Sequence, residues 1–162
     1  MKVPKMIGML ALWCEVALAD SRVVSCSEDY SVERRSDRLL VLRRDNREVG
    51  FARTKHQLDG GNFNRENSLV AVYGLPDRAD VVNPQATMLA VYALPKKGKR
   101  SMRKIYAGMF GSRVYEVSFS VDNRHIVVAT RLGYVTIDMR TKKSTFQMTD
   151  EIDLELQECG SK

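Results

Sequence analysis

The sequence predicts a mainly β fold built of antiparallel meanders. Three observations predict it. Short segments in which apolar residues alternate with polar ones, or run together, are separated by turn-forming clusters. A pattern of strand, charged hairpin and strand recurs along the chain. The stretch from Val114 to Thr149 reads as four such strands in succession. Composition agrees: of 162 residues, 44% are apolar and 28% charged, as in a folded domain and unlike a disordered chain. That length suits one domain and not two full-sized ones.

The chain opens with a segment outside this pattern. Met1 to Lys5 (MKVPK) carries two lysines, Met6 to Cys14 (MIGMLALWC) is apolar throughout, and Glu15 to Ala19 ends in Ala-Leu-Ala before Asp20. A basic start, a short apolar middle and a small-x-small end describe a secretory signal peptide. Residues 1–19 are therefore expected to be cleaved, leaving 20–162 as a single all-β domain in the periplasm. The apolar run falls short of the roughly 20 residues that cross a bilayer, so no membrane span is expected. A buried N-terminal helix is the alternative. A lipid anchor is another, because Val23 to Cys26 looks like the apolar-small-Cys box of bacterial lipoproteins, although Asp20 and Arg22 separate it from the apolar run. Loss of Cys14 with the signal leaves Cys26 and Cys159, and an even count in an oxidising compartment points to a disulfide between them.

The strands follow in order. Leu39 to Leu42 precedes a charged turn and then Glu48 to Arg53. Ser68 to Leu75 is a further strand. Met88 to Leu94 precedes the basic turn Pro95 to Arg100 and then Met102 to Ala107. Val114 to Ser120 alternates, with Tyr115, Val117 and Phe119 on one face. Val121 to Arg124 turns, and His125 to Thr130 is a continuous apolar run suited to a strand buried on both faces. Arg131, Leu132 and Gly133 turn again, Gly133 supplying a positive φ. Tyr134 to Arg140, the turn at Thr141 to Lys143 and Ser144 to Thr149 complete the meander. The apolar starts Leu39, Met88 and Tyr134 lie 49 and 46 residues apart. Ser68 to Leu75 takes the place that Val114 to Ser120 has in the last unit. A period of about 40–50 residues with four strands per unit is the signature of propeller blades. About three blades fit, whereas closed propellers have about four to eight, so an incomplete propeller is expected, with an antiparallel sandwich as the alternative.

The residues offer little catalytic chemistry. No Gly-x-Ser-x-Gly elbow, paired His and Cys spacing for zinc, or phosphate-cradling Gly-x-x-x-x-Gly-Lys occurs, and no cofactor is expected. His125 opens an apolar strand and His56 reads as a solvated loop residue. Asp59-Gly60-Gly61-Asn62 reads as a turn by its glycines and not as a calcium loop. The acidic residues from Asp150 to Glu158 alternate with Ile152, Leu154 and Leu156, as in a final edge strand or tail. Lys and Arg number 26 against 20 Asp and Glu, a net of +6 concentrated in Arg34 to Arg47 and Lys96 to Lys104. Such patches attract phosphate. Export and the lack of a recognition helix argue against nucleic acid, and the Lys96 to Arg100 charges read as a solvated hairpin that protects a sheet edge. Binding through loops remains. His56 to Asn67 and Pro76 to Pro84 are the long polar segments, with Phe63 and Asn64 as the candidate anchor in the first.

The segment VSFSVDNRHIVVATRLGYVTIDMRTK resembles a blade of WD40-like and related exported propellers, on Ser118, Phe119, Ser120, Asp122, Asn123, Arg124, Gly133 and Asp138. The Trp-Asp pair of true WD40 repeats is absent. A small exported chain of this kind also resembles the periplasmic immunity proteins that protect bacteria from peptidoglycan amidases delivered by type VI secretion. Some of these are incomplete propellers that push a blade turn into the toxin's active site. That resemblance implies a non-enzymatic module whose protein partner is a secreted amidase, contacted through Arg131, Leu132 and Gly133. The turn lacks the small hydroxyl residue that the resemblance places at its tip. A periplasmic or surface-associated assembly or adhesion subunit is the alternative function. The sequence leaves the oligomeric state open.

Overall fold

The computed structural model describes residues 21–35, 38–79, 81–148 and 152–159. The signal-peptide reading of residues 1–19 lies outside them. The described chain forms twelve strands in three four-stranded antiparallel sheets. The first sheet holds β1 (Arg22–Val24), β2 (Tyr30–Arg35), β3 (Leu39–Arg44) and β4 (Arg47–Arg53). The second holds β5 (Gly60–Phe63), β6 (Leu69–Gly74), β7 (Thr87–Ala93) and β8 (Arg103–Phe110). The third holds β9 (Val114–Phe119), β10 (His125–Thr130), β11 (Gly133–Asp138) and β12 (Ser144–Gln147). Each is a simple meander, and each has one register shift, after Leu42, Val91 and Ala129. No helix among the described residues is long and apolar enough to cross a membrane.

The recurring starts at Leu39, Met88 and Tyr134 fall on β3, β7 and β11, the third strand of each sheet. One alignment needs correction. The Ser68–Leu75 segment is β6, a second strand, and corresponds to β10; the counterpart of β9 is β5. Gly60 and Gly61 disguise β5. They lie within the ladder, paired with Tyr73 and Val72, and not in a turn. A Cβ on Gly61 would overlap the Ala71 carbonyl oxygen, so glycine here allows close backbone approach.

One six-residue device repeats after the first strand of every sheet. Ser25, Asn64 and Ser120 follow β1, β5 and β9 directly. Their side-chain oxygens accept the N–H of Tyr30, Leu69 and His125, at 3.1, 2.8 and 2.9 Å. Their carbonyls accept the N–H of Glu28, Asn67 and Asn123, each at 2.9 Å. Those three residues have φ of 63°, 51° and 58°, the left-handed backbone that Asn tolerates best among residues with a Cβ. We call the end carrying these turns the top.

The core lies on both faces of the middle sheet. Val70, Val72, Ala90 and Tyr92 face Leu40, Leu42 and Val32 of the first sheet. Ala71, Leu89 and Val91 face Val117, Phe119, Ile126, Val128 and Ile137 of the third. This explains why LVAVYG and TMLAVYA are nearly continuous in apolar residues: neither face meets water. The alternation in β9 holds at Val117 and Phe119, which are buried. It fails at Tyr115, which is exposed where the register shift turns Val114 inward instead. β1 lies beside β5, and β5 beside β9, so successive sheets approach at their first strands, as propeller blades do.

Two connections tie the sheets together. The β7–β8 loop crosses to the edge of the first sheet, where Phe51 donates to Arg100 O (2.8 Å) and Met102 donates to Phe51 O (2.9 Å). The C-terminal segment runs beside the top of β9. There Leu156 pairs with Ser120, and Gln157 donates from its backbone to Phe119 O (2.8 Å). It carries Cys159, which is disulfide-bonded to Cys26 in the β1–β2 turn. The expected bridge is therefore present and joins the first sheet to the strap along the third. A bridged Cys26 has no thiol for a lipid.

Candidate functional site

The β10–β11 turn stands at the bottom of the third sheet with its shape fixed from within. Thr130 Oγ1 accepts the Leu132 N–H (3.3 Å) and donates to Gly133 O (2.8 Å), while Arg131 donates from its backbone to Arg113 O (3.2 Å). Gly133 has φ +138°, and a Cβ there would overlap the Gln147 carbonyl oxygen. The turn thus holds its backbone still and leaves Leu132 63% exposed at the tip.

The long β6–β7 connection meets this turn across a cleft of about 420 Å³. Pro84, Gln85 and Thr87 form one wall, and Arg113, Tyr115 and Arg131 the other. The connection is pinned here: Asn83 donates to Gly111 O (2.6 Å), and Thr87 Oγ1 accepts the Val114 N–H (3.3 Å). Next to the pinned part, Val81 and Val82 are 96% and 94% exposed. So each of two loops from different sheets lines the cleft, through Pro84 and Gln85 and through Arg131, and carries exposed aliphatic residues nearby in sequence, Val81 and Val82 on one and Leu132 on the other. Tyr115 is exposed beside them, and Tyr73 donates its hydroxyl to the Tyr115 carbonyl (2.5 Å). Burial, with Glu116 and Asp59 nearby, raises the Tyr73 pKa above its usual value and keeps it the donor.

Arg113 and Arg131 form no ion pair among the described residues, and the carboxylate of this cleft, Asp59, already accepts the Leu75 N–H (3.2 Å). A second cleft of about 620 Å³ shares Asp59 and Arg113 and adds Arg34 and Arg35. Those two are paired. Arg34 and Arg38 both hold Asp77, at 2.7 and 2.9 Å, and Arg35 bonds Glu48. Arg43 bonds Glu33 at 2.9 Å. The arginine cluster from Arg34 to Arg43 that stands out in the sequence is thus largely neutralised by carboxylates on the same sheet and on the β6–β7 connection.

The predicted docking residues separate. Arg131, Leu132 and Gly133 lie on the bottom rim, together with part of the Pro76–Pro84 segment. Phe63 and Asn64 lie at the top and inside. Phe63 is 2% exposed, packed in the core with its ring centroid 6.4 Å from that of Tyr30. Asn64 is buried, accepting from Ser68 and Leu69 N–H and donating to Ser68 Oγ and Asn123 Oδ1. The expected anchor at Phe63 and Asn64 is therefore corrected: they end strand β5 and open its capping turn, and both side chains are buried within the fold.

Sequence reasoning also misplaced His56. It is 1% exposed, paired across a bridge with Pro76, and its Nδ1 lies 2.6 Å from Gln57 O. Nε2 has no partner. Burial lowers the His56 pKa below 6.5, only partly opposed by the Gln57 contact. A single histidine between polar residues gave no signal for this; the bridge to a proline beyond β6 creates it. Ser120 and His125 meet through the His125 backbone and not its ring. Among the described residues no three His, Cys, Asp or Glu side chains group to hold a metal. Comparison of the chain with protein-family models and with curated proteins finds no match to either.

Proposed function

We propose that this chain is an exported, non-enzymatic protein-binding module that docks its partner at the bottom rim. The observation that carries the reading is that two pinned loops, each with exposed aliphatic residues, line one cleft together with Arg113 and Arg131, which form no ion pair among the described residues. A recognition surface needs apolar anchors on an ordered backbone, since ordering a loose loop on binding costs affinity. Leu132 and Val81 supply the anchors. Arg113 and Arg131 favour an acidic partner by steering encounter.

The finer reading is a periplasmic immunity protein that occludes a peptidoglycan amidase by inserting the β10–β11 turn. The blade resemblance supports it, and the disulfide fits an oxidising compartment. The test is capture from a periplasmic extract of the native host, followed by an amidase assay on what co-purifies. A one-to-one complex with an amidase, inhibited by the chain and released by Leu132→Asp, is expected. An amidase bound equally by that variant would remove the turn from the interface. Capture of further copies of the chain and no amidase would favour a second reading, assembly through the edge of the third sheet. In its favour, β12 is the edge strand there and exposes Phe146, with Met148 exposed just beyond.

A further inference from the structure

The top of the molecule carries a second hollow, of about 440 Å³, between the first sheet and the β7–β8 loop. Its floor is apolar: the Tyr30 ring, Leu42, Val49 and Pro95. Its rim is cationic: Arg44, Lys96, Lys97 and Lys99. No acidic residue lines it. The three lysines are exposed and form no ion pair among the described residues. Arg44 lies over the Tyr30 ring at 5.4 Å and leans only loosely on the exposed Asp45, at 3.8 Å.

The lysines are held on a built turn. Lys99 donates its N–H to Lys96 O at 2.9 Å, and Gly98 between them has φ +82°, the backbone a type II turn requires of its third residue. Both flanks of the turn are anchored. Leu94 donates to Ser68 O, and the Phe51 pairing with Arg100 and Met102 fixes the far side. A Cβ on Gly98 would meet nothing within 4 Å, so a ligand can approach the backbone there. Three ammonium groups are thus gathered above an apolar floor without a carboxylate to quench them. A hairpin that merely kept a sheet edge soluble would need the charge but not the hollow beneath it.

We propose that this hollow binds a phosphate ester carried on an apolar or aromatic body, with the phosphate among Lys96, Lys97 and Lys99 and the body over Tyr30, Leu42 and Pro95. The size is that of a small-molecule site. Lysine clusters recognise phosphate as point charges, and the floor adds what a bare anion cannot use. The site lies at the opposite end from the rim proposed for the protein partner, so the two readings stand or fall separately.

The test uses the disulfide-intact chain and calorimetric titration with phenyl phosphate and with inorganic phosphate. Phenyl phosphate is expected to bind on the order of tenfold more tightly. The combined variant Lys96→Gln, Lys97→Gln, Lys99→Gln should weaken it by at least about tenfold, with an unchanged unfolding midpoint. Lys142→Gln with Lys143→Gln, which removes charge from a different turn, should leave binding intact. Vesicles of phosphatidylglycerol in phosphatidylcholine identify the source. Vesicle binding that phenyl phosphate displaces means a lipid-borne ester, and phenyl phosphate binding without vesicle binding means a free one. No binding of phenyl phosphate, equal binding of both phosphates, or equal loss in the Lys142 and Lys143 variant would overturn the proposal.

Discussion

Replacing both Cys26 and Cys159 by serine should remove a large share of this domain's stability. The two residues are 133 apart in sequence. Opening a loop of that size releases chain entropy in the unfolded state worth about 5 kcal/mol at 25 °C in the loop-closure model. The native state supplies little reason for the loss to be smaller. The strap carrying Cys159 is held to β9 by the Leu156 bridge and by Gln157, whose side chain reaches Ser120 O and Asn123 Oδ1 at 2.9 and 3.0 Å. Those bonds hold the strap to the third sheet, not to the first. The assay is urea unfolding of the oxidised chain and the double variant under identical conditions. A loss of about 3–5 kcal/mol is expected, or about 10–20 °C in Tm for a domain of this length. A loss under about 1 kcal/mol would refute the reasoning, because it would mean that the unfolded chain keeps its ends together without the bond.

Four further outcomes follow from the geometry. Asn64→Ala leaves the Ser68 and Leu69 N–H groups without their acceptor in a part-buried turn and should cost about 1–2 kcal/mol in urea unfolding; a loss below about 0.5 kcal/mol would show that water replaces the side chain. Gly61→Ala, whose Cβ meets Ala71 backbone, should destabilise more than Gly98→Ala, which has space but an unfavourable φ worth about 1–2 kcal/mol; the reverse order in thermal melts would contradict the placement of β5. Because burial lowers the His56 pKa, the unfolded chain takes up a proton below pH about 6.5 that the folded chain resists. Stability should therefore fall as pH drops from about 7 towards 5, by at most about 1.4 kcal/mol per pH unit, and His56→Gln should flatten that slope; an equal slope in the variant would assign it to other groups. Leu132→Asp, on an exposed tip, should change unfolding stability by no more than about 0.5 kcal/mol, so a misfolded variant would count against the turn as a surface element.

The third sheet was almost fully legible because its strands follow one another with short turns between them, and its turn residues are the ones such turns need. The repeat of third strands was legible for a different reason: β3 and β7 are apolar for several residues before a charged hairpin. The first two strands of the first sheet were not. β2 reads YSVERR, and three of its six side chains are charged. Its pattern becomes sensible only when Glu33 is seen between Arg43 and Arg35, bonds that sequence spacing does not display. β5 was hidden by glycines that serve close packing. At the candidate site, the Arg131 turn was readable from Gly133, but its meeting with the β6–β7 connection depends on how two sheets stack. The same stacking takes Phe63 and His56 out of solvent. The repeated turn at Ser25, Asn64 and Ser120 did leave a signal, a hydroxyl or amide residue five positions before the next strand, too short to separate from chance in one chain.

A sheet that is covered on both sides has no surface of its own to lose quietly. If the first sheet peels away, Val70, Val72 and Tyr92 are wetted at once; if the third does, Ala71, Leu89 and Val91 are. Unzipping either flank therefore strips a neighbour that the other flank also leans on, and the molecule should come apart in a single step and not blade by blade. Hydrogen exchange would display this as β6 and β7 amides sharing one slowest class, set by the opening of the entire domain.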